Sequence, residues 1–311
     1  MEILFIFLTL FGLSLFEIIT SIDNAIINAE TLSTMGQKAR RWFLTWGIVI
    51  AVFLVRGLLP LLIVFAANPS IGILGSLTAT FSNDPKVLMA IEKSAPILSI
   101  GGGTFLIFLF FHWLFLEPKS FGIKGEKFFQ TQGAWFFASV SVFLMIIVWF
   151  ALQREEMMAF GAVVGSTAFF IIHGFRQFAE QEEKKLLQHG MSDISKVLYL
   201  EVLDATFSID GVIGAFAFTF SVLLILLGNG LGAIVLRQLT ISNIERIKKY
   251  RFLKNGAMYS ILVLGIIMLL DSFGFHIPPW VSPIATFATV GYFFYKSRIN
   301  LKNLELALKP N

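Results

Sequence analysis

Long apolar stretches separated by short polar ones run almost the full length of the chain. Stretches long enough to cross a hydrocarbon core of about 30 Å lie near 3–34, 42–67, 96–116, 131–152, 156–178, 194–227, 229–242, 257–273 and 280–295. The pattern therefore predicts an all-α polytopic membrane helix bundle of about nine spans. Two of the stretches carry what such a span should exclude. The first reads Glu17-Ile-Ile-Thr-Ser21-Ile-Asp23-Asn24 and the second Asp204-Ala-Thr-Phe-Ser208-Ile-Asp210-Gly211. An ionisable side chain at such depth costs about 2.5 kcal/mol or more and marks a functional site by default.

The two motifs belong to a longer internal repeat. Glu17 aligns with Asp204, Ser21 with Ser208 and Asp23 with Asp210; Gly47–Arg56 (GIVIAVFLVR) then matches Gly228–Arg237 (GNGLGAIVLR), and Ser94-Ala95 falls beside Gly256-Ala257. The first span of one set runs opposite to the first span of the other, so two inverted three-helix repeats are expected. They would occupy about 3–116 and 194–273 of a single transmembrane domain, with unpaired helices at about 131–178 and an extra helix at about 280–295.

Six residues along an unbroken helix turn about 600°, which leaves the two carboxylates of each motif roughly 120° apart. A straight span over 194–227 would also reach about 50 Å. Ser21, Asn24, Ser208 and Gly211 are poor interior helix residues, so broken helices are predicted at Ser21–Asn24 and Ser208–Gly211, where freed carbonyls could face a polar cavity.

The candidate metal ligands are Glu17, Asp23, Asn24, Asp204 and Asp210, with Ser21, Ser208, Asn28 and Glu201 in support. An all-oxygen set suits Mn²⁺, Mg²⁺ or Ca²⁺ and lacks the imidazole or sulfur expected for zinc or copper. Apposed carboxylates repel unless a cation or protons join them. Arg56 and Arg237, inside their spans, are the natural counter-charges; the bland alternative is that each snorkels to a headgroup, and it fits Arg237, near its span's end, better than the deeper Arg56.

Composition agrees with the pattern: 56% of the 311 residues are hydrophobic and 14% charged, against roughly 25% charged in a soluble domain. The net charge of +4 is not a nucleic-acid signal, because the basic residues gather in alternate loops. They run from Lys38, Arg40 and Arg41 after the first span to Lys296, Arg298, Lys302 and Lys309 after the ninth, while the opposite loops hold only Lys86, Lys93 and Arg154. The positive-inside rule then sets the N-terminus outside and the C-terminus in the cytoplasm. The start lacks a basic n-region and carries Glu17 and Asp23, so it reads as a span rather than a signal peptide. With no cysteine, disulfides and thiolate ligands are excluded.

Other polar residues have blander readings. Glu30 and Asp271 sit at span ends and read as solvent contacts. Glu92 begins a span and could belong to an external vestibule. His112 and His173 read as isolated packing residues, and Gly101-Gly102-Gly103 as close helix packing rather than a phosphate loop. No organic cofactor is expected.

The two motifs resemble the signatures of the TerC family of bacterial integral membrane proteins, in a branch long described as a domain of unknown function. One signature is a Glu followed by Ser-x-Asp-Asn, here Glu17 and Ser21–Asn24. The other is Asp-x-x-Phe-[Ala/Ser]-x-Asp-Ser, here Asp204 to Asp210 with Gly211 in place of the serine, which removes one hydroxyl and bears on metal preference. The resemblance covers about 16–66 and 197–272. It implies an inverted-repeat exporter of the bacterial inner membrane, with manganese efflux and tellurite resistance among its relatives, and ion binding at Asp23 and Asp210. The expected function is export of a divalent cation, Mn²⁺ first, in exchange for protons, with membrane lipid and the metal ion as partners and no nucleic acid. A scaffold of a stress-response or metalation complex, using the charged loop Arg176–Lys196, is the second reading. An intramembrane enzyme is a distant third, since no serine or histidine has a convincing partner.

Overall fold

A computed structural model describes residues 2–47, 49–50, 56–67, 72, 85–188 and 192–307. Every regular element among them is helical: α1 (Glu2–Thr20), α2 (Ile22–Ser33), α3 (Gln37–Trp42, continuing as a π turn Phe43–Gly47), α4 (Arg56–Ala67), α5 (Pro85–Leu116), α6 (Glu126–Thr131), α7 (Phe136–Leu152), α8 (Glu156–Gln188), α9 (Asp193–Ala215), α10 (Val222–Lys248), α11 (Leu253–Ser272) and α12 (Val281–Ala307). Five segments are long and apolar enough to cross a membrane: Ile3–Thr20, Lys93–Leu116, Gly133–Leu152, Glu156–Gln177 and Leu253–Ser272, with Val222–Gln238 shorter but apolar. The chain is a multi-pass membrane protein by this count, and its outward faces are correspondingly apolar, with Phe137, Trp149, Phe160 and Phe175 exposed. Part of the predicted second span, at 51–55, lies outside the described residues.

The centre of the bundle is α1 with its partners. α1 packs on α9, α10, α11 and α12, while α5 packs on α11, α8 and α7. Leu13, Phe16, Phe105, Phe108, Trp113, Val212, Ile225 and Leu264 form one buried apolar core from these helices. α5 and α8 approach until the position of a side-chain carbon at Gly165 falls on the Gly101 carbonyl oxygen, so the glycine run expected to serve helix packing does so.

The first predicted break, at Ser21–Asn24, is reduced to a one-residue interruption: Asp23 and Asn24 lie inside α2, and Ser21 N–H and Ala25 N–H still donate to the carbonyls of Glu17 (3.1 Å) and Ser21 (2.9 Å), so those carbonyls are not freed. Ser21 stands between α1 and α2 with φ −95° and ψ 7°, and the Thr20 hydroxyl donates back to the carbonyls of Phe16 (2.9 Å) and Glu17 (3.3 Å). The second is absent: α9 runs without interruption through Ser208–Gly211. The Ser208 hydroxyl donates to the Asp204 carbonyl, 2.5 Å away and one turn back, an outlet that lets serine sit inside a helix. The excess length foreseen for a span over 194–227 is resolved elsewhere. α9 stops at Ala215, and a turn through Phe216–Ser221, closed by Ala217 N–H to Gly214 O (3.1 Å) and Phe218 N–H to Ala215 O (2.9 Å), leads into α10. The expected boundary at Gly228 is thus mid-helix.

Candidate metal site

Glu17 lies in the last turn of α1 and is fully buried (0% exposed). Two glycines make its slot. A side-chain carbon at Gly211 of α9 would stand 2.7 Å from Glu17 Oε2, and one at Gly232 of α10 would stand 2.7 Å from Glu17 Cβ and 2.6 Å from the Ser14 carbonyl oxygen. The Oε1 oxygen accepts from Ser21 Oγ (2.9 Å) and from Arg56 Nε (3.0 Å) and Nη2 (2.6 Å). Ser21 therefore spends its hydroxyl on Glu17 and does not cap α2.

Arg56, at the start of α4 and 2% exposed, joins Glu17 to Asp204: its Nη1 is 3.9 Å from Asp204 Oδ2. The other Asp204 oxygen accepts a short bond from Asn24 Nδ2. One positive group thus serves two buried carboxylates, a balance that limits the desolvation of all three.

On α1 and α2, three side-chain oxygens have no hydrogen-bond partner among the described residues: Glu17 Oε2, Asn24 Oδ1 and Asn28 Oδ1. All three residues are buried, and Asn28 follows Asn24 by one turn, on the same face of α2. Leaving such an acceptor unmade costs about 1–3 kcal/mol, so an electropositive group beside the three would be favoured. Carboxylate and amide oxygens are hard donors suited to a hard cation.

Two of the four predicted carboxylates, Glu17 and Asp204, are brought together. The backbone of Asp23 lies in α2, but its side chain, like those of Glu30 and Glu92, lies outside the described residues. Asp210 is turned elsewhere. It pairs with Arg176 of α8 (Nη2 to Oδ2, 2.6 Å) and lines a separate small cavity with Glu117 and Lys254. Because α9 is continuous, the 120° between positions six apart keeps Asp204 and Asp210 on different faces. Among the described residues no three His, Asp or Glu side chains stand close enough together to hold a metal by themselves; any ion here would lean on the amide oxygens.

Glu201, one turn before Asp204, is half-buried; its Oε1 has no partner among the described residues and occupies the space left by the absent side chain of Gly47. Arg237 stacks over the Phe43 ring at 4.1 Å, and its Nη2 has no hydrogen-bond partner among the described residues. This is a cation–π contact, not the carboxylate pairing expected of a counter-charge. Asp271 is exposed and lines the mouth of a second cavity, of about 390 Å³, between the start of α1 and the end of α11.

Sequence reasoning missed a second polar group. His112 and His173, read as isolated, have ring centroids 3.8 Å apart. Arg176, counted among loop charges, is the partner of Asp210. The one available signal was that His173 and Arg176 are three apart on an amphipathic stretch and so share a face.

A family described as Protein of unknown function (DUF475) matches residues 22–304. No curated protein and no solved structure matches the chain. With most of its length covered, the chain belongs to the DUF475 family.

Proposed function

We propose that this DUF475 protein is a secondary transporter exporting a hard divalent cation, Mn²⁺ first among them, in exchange for protons across a bacterial inner membrane. The observation that carries the reading is the buried group of Glu17, Asn24, Asn28 and Asp204, with its three partnerless oxygens and a single arginine between the acids. The ion enters as substrate. Glu17 and Asp204 supply charge, and the two amide oxygens of α2 replace water. Arg56 supplies the balancing charge and yields when the cation arrives.

Packing supports an inverted repeat behind this site. With α1, α4 and α5 as one set and α9, α10 and α11 as the other, like packs on like: α1 on α9, α4 on α10, α5 on α11. The cross-pairs are reciprocal as well, α1 on α10 matching α9 on α4, and α1 on α11 matching α9 on α5. A pseudo-two-fold axis generates such reciprocity, and rocking one set against the other would open the site alternately to each side. In this reading the N-terminus is outside, nine spans cross, and the break at Ser21 is the half-helix end facing the ion.

The test is Mn²⁺ flux into vesicles containing purified protein. Wild type should transport, and Asp204→Asn and Glu17→Gln should each lower the rate at least tenfold while leaving the protein folded. If wild type moves no Mn²⁺, Mg²⁺ or Ca²⁺, transport of a divalent ion is wrong. A metal-sensitivity phenotype that survives Asp204→Asn but not replacement of the Arg176–Lys196 region would instead favour the scaffold.

A further inference from the structure

We propose that His112, His173 and Glu117 form a proton-binding site, separate from the Glu17–Asp204 group, that holds one exchangeable proton and is linked through Arg176 to Asp210. His112 of α5 and His173 of α8 stand ring against ring, with centroids 3.8 Å apart. His112 Nδ1 lies 3.4 Å from Glu117 Oε1, and His173 Nε2 lies 3.1 Å from Gln177 Nε2. Aromatic rings enclose the pair: Phe169 stacks on His173 at 5.6 Å and Phe136 meets His112 edge-on at 5.6 Å.

The charged groups around the pair are Glu117, Lys254, Arg176 and Asp210, with Lys119 close enough to act on Glu117 and Lys254. Glu117, at the end of α5, is shared, since Lys254 of α11 holds its second oxygen at 2.7 Å. Arg176, one turn beyond His173 on α8, holds Asp210 of α9 at 2.6 Å. Burial alone would raise the Glu117 pKa, but the adjacent His112 ring, whose Nδ1 stands 3.4 Å away without a closed hydrogen bond, and the nearby Lys254 charge outweigh it and keep the carboxyl below its ordinary range. Glu117 is therefore the anion that receives a protonated His112. Two protonated rings at this separation repel, so a second proton binds on the order of 100-fold more weakly than the first.

The link to the rest of the protein is a cavity of about 50 Å³ walled by Glu117, Arg176, Asp210, Lys254 and, from the other side, Thr20 and Ile22. A water needs roughly 10–15 Å³ of such space, so a short water chain can join Glu117 to Asp210. Thr20 and Ile22 flank the break at Ser21. A proton gained by the histidines places a further positive charge beside Glu117, and the altered charge along the cavity bears on Asp210 and on the bend of α1. The site thus sits where protonation and the shape of α1 can influence each other.

The inference stands apart from the metal reading and is tested without transport. The full-length protein, labelled with ¹⁵N-histidine, is titrated by NMR in detergent, with exposed His276 as internal reference. His112 and His173 should protonate in two coupled steps at least two pH units apart. His173→Gln should leave His112 with a single step, Glu117→Gln should lower the upper step by about one pH unit, and Asp210→Asn should lower it too, because one negative charge beside Arg176 is then removed. Independent single steps in the wild type, each unaffected by loss of the other ring, would overturn the site; an upper step indifferent to Asp210→Asn would overturn its link to α9. Neither result depends on whether Mn²⁺ moves.

Discussion

Arg56→Met is expected to destabilise the protein by about 3–5 kcal/mol, the size of the loss when one partner of a buried ion pair is removed. The guanidinium is 2% exposed, donates twice to Glu17 and approaches Asp204 at 3.9 Å. Its removal strands two carboxylates that have no other cation within ion-pairing distance among the described residues. In thermal unfolding in detergent the midpoint should fall by roughly 10 °C. Arg56→Lys should fall in between, since an ammonium keeps the charge but cannot offer both Nε and Nη2 to one oxygen. The decisive comparison is the double variant Glu17→Gln/Arg56→Met. Relieved of one stranded charge, it should unfold at a higher temperature than Arg56→Met alone, giving a coupling of about 1–3 kcal/mol in a double-mutant cycle. A midpoint unchanged by Arg56→Met, or strict additivity, would mean that the guanidinium does not balance the acids.

The pairing of Arg56 with Glu17 was readable because an arginine inside an apolar span has few uses besides meeting a buried acid; the matched Arg237 stacks on Phe43 instead. The interruption at Ser21 was readable for the same kind of reason, since serine opposes a helix interior, but Asp23 and Asn24, counted with it, sit inside α2. The same logic failed at Ser208–Gly211, because what decides there is tertiary. Ser208 finds an acceptor in its own helix, and the space beside Gly211 is taken by the Glu17 carboxylate. Composition cannot announce either. The misplaced end of α9 has a related cause. Residues 216–220 are almost wholly apolar and hide a turn inside what reads as one span.

Asp210 illustrates a different limit. The sequence match set it beside Asp23 and assigned both to one ion, but the partner that claims Asp210 comes from α8, outside both matched stretches. An alignment within the chain says which residues are equivalent, not which helix lies next to them. The same blindness hid His112 and His173, which are remote in sequence and meet only because α5 and α8 are drawn together at their glycines.

Those considerations separate the two glycines that wall Glu17. At Gly211 an added methyl meets only Glu17 Oε2, the far end of a side chain, 2.7 Å away; at Gly232 it meets Glu17 Cβ at 2.7 Å and the Ser14 backbone oxygen at 2.6 Å. Gly211→Ala should therefore be nearly silent in thermal unfolding, because the carboxylate can rotate aside. The rotation moves Oε2, the atom with no partner, so Mn²⁺ flux should drop about tenfold or more, and Gly211→Ser, which adds a hydroxyl donor at the same place, should alter the relative rates of Mn²⁺ and Mg²⁺. Gly232→Ala has no such relief. α1 and α10 must move apart, at about 1–3 kcal/mol for overpacking, and flux should fall together with stability. Equal effects of Gly211→Ala and Gly232→Ala on both readouts, or full flux in Gly211→Ala, would show that the Glu17 carboxylate does not face the transported ion, even if the helices pack as described.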